Sequence, residues 1–355
     1  MQTDLLQEAR RQAEICNACR YCEGYCSVFP ALHQERFFTD ANLTQLANLC
    51  HNCRGCYHAC QYTAPHEFDL NLPKALAEVR QDSWQSFSWP APVAERFQKS
   101  GVMIALVTIL GFAAMFLALS AFKPSDGAGF YAALSHAAMV AIFLPAFLVP
   151  LFSIAIGLCR YWSATEGKPI KLAHILEAFG SAGKMKNLAG GHGDGCNFED
   201  EDRFSHARRY AHQAVMYGFL LCFASTSVAT LMHYVFNMPA PYPLLSLPKL
   251  LGVPGGILMV IGTVWLMKLK IAADKHLGAE RAWTGEMAFI LLLFLVALTG
   301  LLLYLLGNTA AMPAMLAIHL GSVLSFFLLT PYTKMAHGFY RLAALIRDAQ
   351  RKDIS

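Results

Sequence analysis

Beyond residue 100 the mixture of polar and apolar positions gives way to long uncharged stretches. These run roughly over 102–122, 133–158, 212–236, 250–267, 286–306 and 313–333. Each approaches or exceeds the ~20 residues that an α-helix needs to cross a bilayer. Buried helices of a soluble core are the alternative, but six stretches with no charge at their centres exceed what one core uses. No run of alternating apolar and polar residues predicts a strand. The expected fold class is therefore mainly α. A soluble helical domain over 1–85 and a linker or interfacial segment over 86–101 precede a transmembrane domain over 102–340. That domain has a long loop over 159–211, and a tail over 341–355 follows it.

Composition sharpens this division. The 355 residues are 55% hydrophobic and only 15% charged, against about 25% charged in ordinary soluble domains. Residues 1–100 nevertheless hold 9 Lys/Arg and 11 Asp/Glu, as a soluble domain would. If residue 1 starts in the cytoplasm, six spans return the C-terminus there. The loops and tail then on that side carry 17 basic residues, including Arg160, Lys168, Arg208, Arg209, Lys270, Lys334 and Arg341, while the outer loops carry Lys123 and Lys249. Such asymmetry predicts that both termini are cytoplasmic. The net charge of +4 follows from this topology and does not point to nucleic acid.

The soluble part carries the densest chemistry. Cys16, Cys19, Cys22 and Cys26, then Cys50, Cys53, Cys56 and Cys60, both read C-x2-C-x2-C-x3-C. This is the spacing at which bacterial ferredoxins hold [4Fe-4S] clusters, the fourth cysteine of each run ligating the other cluster. The expected wiring is Cys16, Cys19, Cys22 and Cys60 on one cluster, and Cys50, Cys53, Cys56 and Cys26 on the second. Zinc uses pairs of cysteines, and one ion needs only four ligands. Disulfides need an oxidising compartment, whereas MQTDLLQEARRQAEIC shows no apolar core of a secretory signal. One departure from the ferredoxin run is that Pro30 and Pro65 stand four and five residues after the fourth cysteines rather than next to them. Cys159, Cys196 and Cys222 are scattered, and Cys222 reads as a small buried hydrophobe.

Ionisable residues within apolar spans mark function by default. His212 opens the third span and His233 stands 21 residues later; His319 lies in the sixth span, with His337 18 residues beyond it. At 1.5 Å per residue these separations are about 31 Å and 27 Å, close to a bilayer's thickness. The two spans run in opposite directions, so His212 pairs in depth with His337 on the cytoplasmic side, and His233 with His319 on the periplasmic side. Paired imidazoles are axial ligands for haem iron, and one or two b-type haems are expected. The plainer alternative is a histidine hydrogen-bonded at the interface, the preferred account of His136. His174, His192, His206 and His276 are expected to be solvated, and Lys334 and Arg341 to act as positive-inside anchors, the alternative being contact with a quinone carbonyl or haem propionates.

The loop over 159–211 contains Gly190-Gly191-His192-Gly193-Asp194-Gly195-Cys196 and an acidic run, Glu199 to Asp202. It reads as a docking loop; the phosphate-binding pattern G-x-x-x-x-G-K-[ST] is absent. Gly252, Gly255 and Gly256 lie in a span and form no dinucleotide fingerprint. Electrons are therefore expected from a partner rather than from an organic cofactor of this chain.

The doubled cysteine run, GGHGDGC, RRYAHQAVMYGFLLCFAST and HLGSVLSFFLLTPYTKMAHGFYR together resemble the tricarballylate-utilisation, or citrate-utilisation, B protein family over essentially the whole chain. The resemblance implies a bacterial inner-membrane protein with [4Fe-4S] clusters and haem. Such a protein reoxidises the flavin of an FAD-dependent tricarballylate dehydrogenase, which makes cis-aconitate, and passes the electrons to membrane acceptors such as quinone. The membrane half also resembles the haem-b subunit of respiratory nitrate reductase, in which paired histidines on two spans hold stacked haems. The expected function is electron transfer from a flavoprotein through clusters and haem b to quinone. The alternatives are an electron-transfer subunit of a heterodisulfide-reductase-like or glycolate-oxidase-like complex, or a membrane redox sensor.

Overall fold

The computed structural model describes residues 2–122, 130–185 and 205–353, and these contain helices but no strand. The Gly190–Cys196 and Glu199–Asp202 segments and Lys123 lie outside the described residues. The N-terminal part comprises α1 (Gln2–Cys19), α2 (Val28–His33), α3 (Asp40–Leu49), α4 (Gly55–His58) and α5 (Leu72–Phe87). Two starts are fixed by side-chain caps. Thr39 accepts the Asn42 N–H ahead of α3, and Asn71 accepts the Lys74 N–H ahead of α5. The cysteines occupy the last turn of α1, the connection from α1 to α2, the irregular segments on either side of α4, and α4 itself. Helix faces formed by Ala9, Ala13, Leu43, Leu46, Leu76 and Val79 pack beneath them as a core.

The chain continues as α6 (Ala91–Phe122), α7 (Phe130–Ala133), α8 (His136–Ala164), α9 (Leu172–Lys184), α10 (Ala207–Tyr234), α11 (Leu247–Ala272), α12 (Trp283–Leu306), α13 (Met312–Leu329) and α14 (Ala336–Lys352). Six helical segments are long and apolar enough to cross a membrane: α6, α8, α10, α11, the α12 segment, and α13 running on toward α14. Helix α11 lies between α10 and α12; α12 also packs on α6 and α13, and α8 packs on α13. Small residues permit the closest approaches, as is usual where apolar helices meet in a membrane. A Cβ on Gly218 would stand 2.7 Å from the Gly255 carbonyl, so α10 and α11 touch backbone to backbone.

Three segments differ from the pattern-based expectation. Residues 91–101 form no separate linker but begin α6, which bends at Ser100 (φ −137°, ψ 32°). Phe97 is fully buried with Ala105, Ala288 and Leu292, so the charges of Glu95, Arg96 and Lys99 conceal a packed face. The expected tail over 341–355 is, through residue 352, part of the helix α14. Ala344 and Leu345 of α14 enter the N-terminal core with Tyr340, and the Trp84 and Tyr340 rings stack at 6.0 Å. Within the loop over 159–211, α8 extends to Ala164 and brings Tyr161 into the same core, while α9 packs on α14. The Tyr161 hydroxyl donates to Gln45 Oε1 at 2.5 Å, and Gln45 Nε2 donates to the Ala344 carbonyl at 2.8 Å. Satisfied buried polar groups such as these hold the cysteine-bearing head in one position on the membrane helices.

Candidate functional site

The eight cysteines fall into two groups in space. Cys16, Cys19, Cys22 and Cys60 line one pocket of about 210 Å³, with Tyr21, Cys56 and Tyr62 at its wall. Cys26 stands instead with Cys50, Cys53 and Cys56. The fourth cysteine of each run thus lies with the first three of the other. The first group reaches the surface, where Cys19 is exposed and the nearby Tyr21 ring is 67% exposed. The second group lies deeper, with Cys50 and Cys53 buried.

Burial first, then the neighbouring cysteines, pushes the Cys16 and Cys22 thiols up to about 12. The same causes push Cys26 and Cys56 well above the usual thiol range. Buried thiols crowded in this way ionise only against a compensating positive centre, which is the requirement an iron–sulfur cluster meets. Backbone N–H groups already point at the sulfurs: Asn52 donates to Cys50 Sγ at 3.4 Å and Tyr62 to Cys60 Sγ at 3.3 Å. Asn52 itself has φ 50°, a conformation that asparagine tolerates better than most residues. Among the described residues no three His, Cys, Asp or Glu side chains close on a single metal ion; the thiols stand apart around a pocket. This donor set fits two clusters.

Immediately inward of the second group lies a larger cavity of about 610 Å³. Its wall joins His51 and Asn52 of the cysteine loop to His212, Val215 and Phe219 of α10 and to Phe289 and Leu293 of α12. His337 of α14 completes it. The His212 and His337 rings face one another at 5.9 Å between centroids, with planes at 86°. His212 Nδ1 is buried with no hydrogen-bond partner. His337 Nδ1 is engaged by the Lys334 carbonyl, the kind of contact that orients a ligating imidazole. Facing imidazoles, an apolar wall and cations at the rim fit a b-type haem with carboxylate side chains.

The other histidine pair is not assembled in this way. His233 stacks on His136 at 4.3 Å, and His136 Nε2 meets the Tyr234 hydroxyl at 2.9 Å. His319 bonds instead to Thr299 Oγ1 at 3.1 Å and lies against Gly300. Among the described residues no ring contact joins His233 to His319. His174, expected to be solvated, is 4% exposed, and its Nε2 lies 2.9 Å from Asp353 Oδ2. Lys334 does more than anchor: it shares Glu286 with Lys270, at 2.7 Å on its own side. Glu286 stands in the first turn of the apolar helix α12, and the rule that flags ionisable residues in spans would have singled it out. His51 and Arg80 carried no spacing signal; only the fold brings them to the cavity.

A cysteine-rich helical head fixed to six helices of membrane-crossing length and apolarity defines a polytopic membrane protein with a candidate redox centre. Residues 9–86 match the family described as Citrate utilization protein B Fer4-like domain, and residues 96–354 match Citrate utilization protein B. The chain belongs to the citrate utilization protein B family. It is 42% identical over 350 residues to Citrate utilization protein B of Escherichia coli, covering 97% of this chain and 92% of that relative. No solved structure matches. The Fer4-like head and the family together support an iron–sulfur protein with a role in citrate or tricarballylate utilisation.

Proposed function

We propose that this protein is a membrane electron carrier that reoxidises a reduced flavoprotein dehydrogenase of the tricarballylate-oxidising kind and delivers the electrons to membrane quinone. Two [4Fe-4S] clusters and haem b would supply one-electron capacity between a two-electron donor and a two-electron acceptor. Cys16, Cys19, Cys22 and Cys60 would hold the outer cluster, and Cys26, Cys50, Cys53 and Cys56 the inner one. His212 and His337 would ligate haem. The observation that carries this reading is the order of the sites: exposed thiol group, buried thiol group, then a cavity with facing imidazoles. His51, next to Cys50 in sequence, lines that cavity.

Each part of the chain has a task in this scheme. The exposed face at Cys19 and Tyr21 offers the donor flavoprotein an approach to the outer group. The core of α3, α5, α8 and α14 keeps water from the inner group and fixes its distance to His212. With both termini cytoplasmic, the head lies on the side of a soluble dehydrogenase. Support for a second haem at His233 and His319 is weaker, because His233 is stacked on His136. The test is the reduced-minus-oxidised spectrum of the purified protein. A b-type signal that His212→Ala and His337→Ala each abolish, with the non-haem iron retained, supports the reading. A signal lost only in His233→Ala or His319→Ala would move the haem to the opposite side, and absence of any b-type signal would sink the relay.

A further inference from the structure

Three arginines from three helices converge on the backbone of the second cysteine run. Arg80 of α5 donates to the carbonyls of Ala47 at 3.3 Å and Cys50 at 2.6 Å. Arg341 of α14 donates to Leu49 at 3.1 Å and Cys50 at 2.8 Å. Arg208, in the first turn of α10, donates to Asn52 at 2.7 Å and His51 at 3.2 Å. Among the described ion pairs none joins these guanidiniums to a carboxylate. Neutral donors would serve to hold a loop in place. Three charges with no carboxylate partner among the described residues exceed that need and cost desolvation, which a nearby negative centre would offset.

Among the described residues the first cysteine run has no such surroundings. The charges acting on Cys16 and Cys22 are those of neighbouring cysteines, whereas Cys50 lies in the field of Arg80 and Arg341. Arg20, beside the first run, is exposed and donates to the Asn17 carbonyl. Reduction of an iron–sulfur cluster adds one electron, hence one negative charge. A fixed cation in a poorly screened interior favours that state, and net charge and hydrogen bonding are the recognised determinants of cluster potential.

We propose that Arg80, Arg208 and Arg341 make the cluster on Cys26, Cys50, Cys53 and Cys56 the more easily reduced of the two, so that the chain's own charges direct electrons inward. The idea rests on the relay described above and gives it a direction. Solvent at Cys19 acts in the opposite sense. It is the weaker influence, because three full charges hydrogen-bonded to the loop that carries Cys50 exceed the response of water at one edge of the outer group. Arg208 stands one helical turn before His212, so the residue that biases the inner cluster also ties its loop to the helix bearing the haem ligand.

The test is redox titration of the full-length protein, following the two cluster signals by electron paramagnetic resonance, with Cys19→Ser identifying the outer signal. In the unaltered protein the inner signal is expected to appear first. Arg341→Gln and Arg208→Gln should each move the inner equilibrium about tenfold against reduction, or about 59 mV for a one-electron couple, and leave the outer one in place. Arg341→Lys and Arg208→Lys keep the charge and should stay within about threefold of the unaltered protein. Arg208 is half-buried on the membrane helix and is the position least tied to folding of the head. An inner signal unmoved in the Gln variants at full iron content would overturn the proposal. So would equal shifts in the Gln and Lys variants, or an outer cluster that reduces first. An unaltered protein lacking two cluster signals would instead remove the relay itself, before any arginine is changed.

Discussion

Cys26 and Cys60 carry the most specific consequence at the scale of single residues. Each lies with the other run's three cysteines, so replacing one should damage the cluster assigned to the distant run. Cys60→Ser should weaken the outer cluster signal, which Cys19→Ser also affects, and leave the signal that depends on Cys53 unchanged. Loss of the Cys53-dependent signal on Cys60→Ser would mean that each run serves its own cluster. The spacing of the cysteines already implied this exchange, because a short C-x2-C-x2-C stretch reaches three corners of a cluster and the fourth ligand must come from elsewhere. The histidines were less legible. His212 and His337 meet as their depth in the two spans suggested. At the opposite ends, His233 found His136, a competitor that depth alone does not exclude, because depth fixes level in the membrane and not direction around a helix.

Among the helices, α14 gives the clearest case of a role hidden from pattern. Its apolar positions are few and interleaved with Arg341, Arg347, Arg351 and Lys352, so it looks like a cationic tail. Its partners in the N-terminal head, α3 and α5, lie about 250 or more residues away in sequence, and no local signal records them. Trp84 is the hinge of that contact, stacked on Tyr340 and donating through Nε1 to Asn48 Oδ1 at 2.8 Å. Trp84→Ala should therefore destabilise the head by about 3–5 kcal/mol, read as earlier loss of cluster absorbance on denaturation. Unchanged stability would show that α14 does not support the cysteine domain. The centres of the apolar spans, by contrast, were legible, because the bilayer imposes a length and an absence of charge that few other settings require; α8, α10 and α11 run five or six residues past the expected bounds. The largest overrun is at α6, whose first turns carry charges on one face while Phe97 packs on the other.

On the scale of the whole molecule, the head is not tethered loosely to the membrane helices. Tyr161 from α8, Arg208 from α10 and the length of α14 all enter or grip it, so the inner thiol group, the loop Cys50–Cys53 and the histidine cavity form one continuous region. Electrons should therefore follow a single ordered path, in which haem at His212 and His337 receives them only after passage through the cysteine groups. The most direct measurement mixes the purified full-length protein with the reduced flavoprotein proposed as its donor and follows the b-type absorbance in time. Reduction of haem in the unaltered protein, abolished in Cys53→Ser while dithionite still reduces the same haem, is the predicted result. Haem reduced by the flavoprotein at an unchanged rate without the inner cluster would contradict the relay.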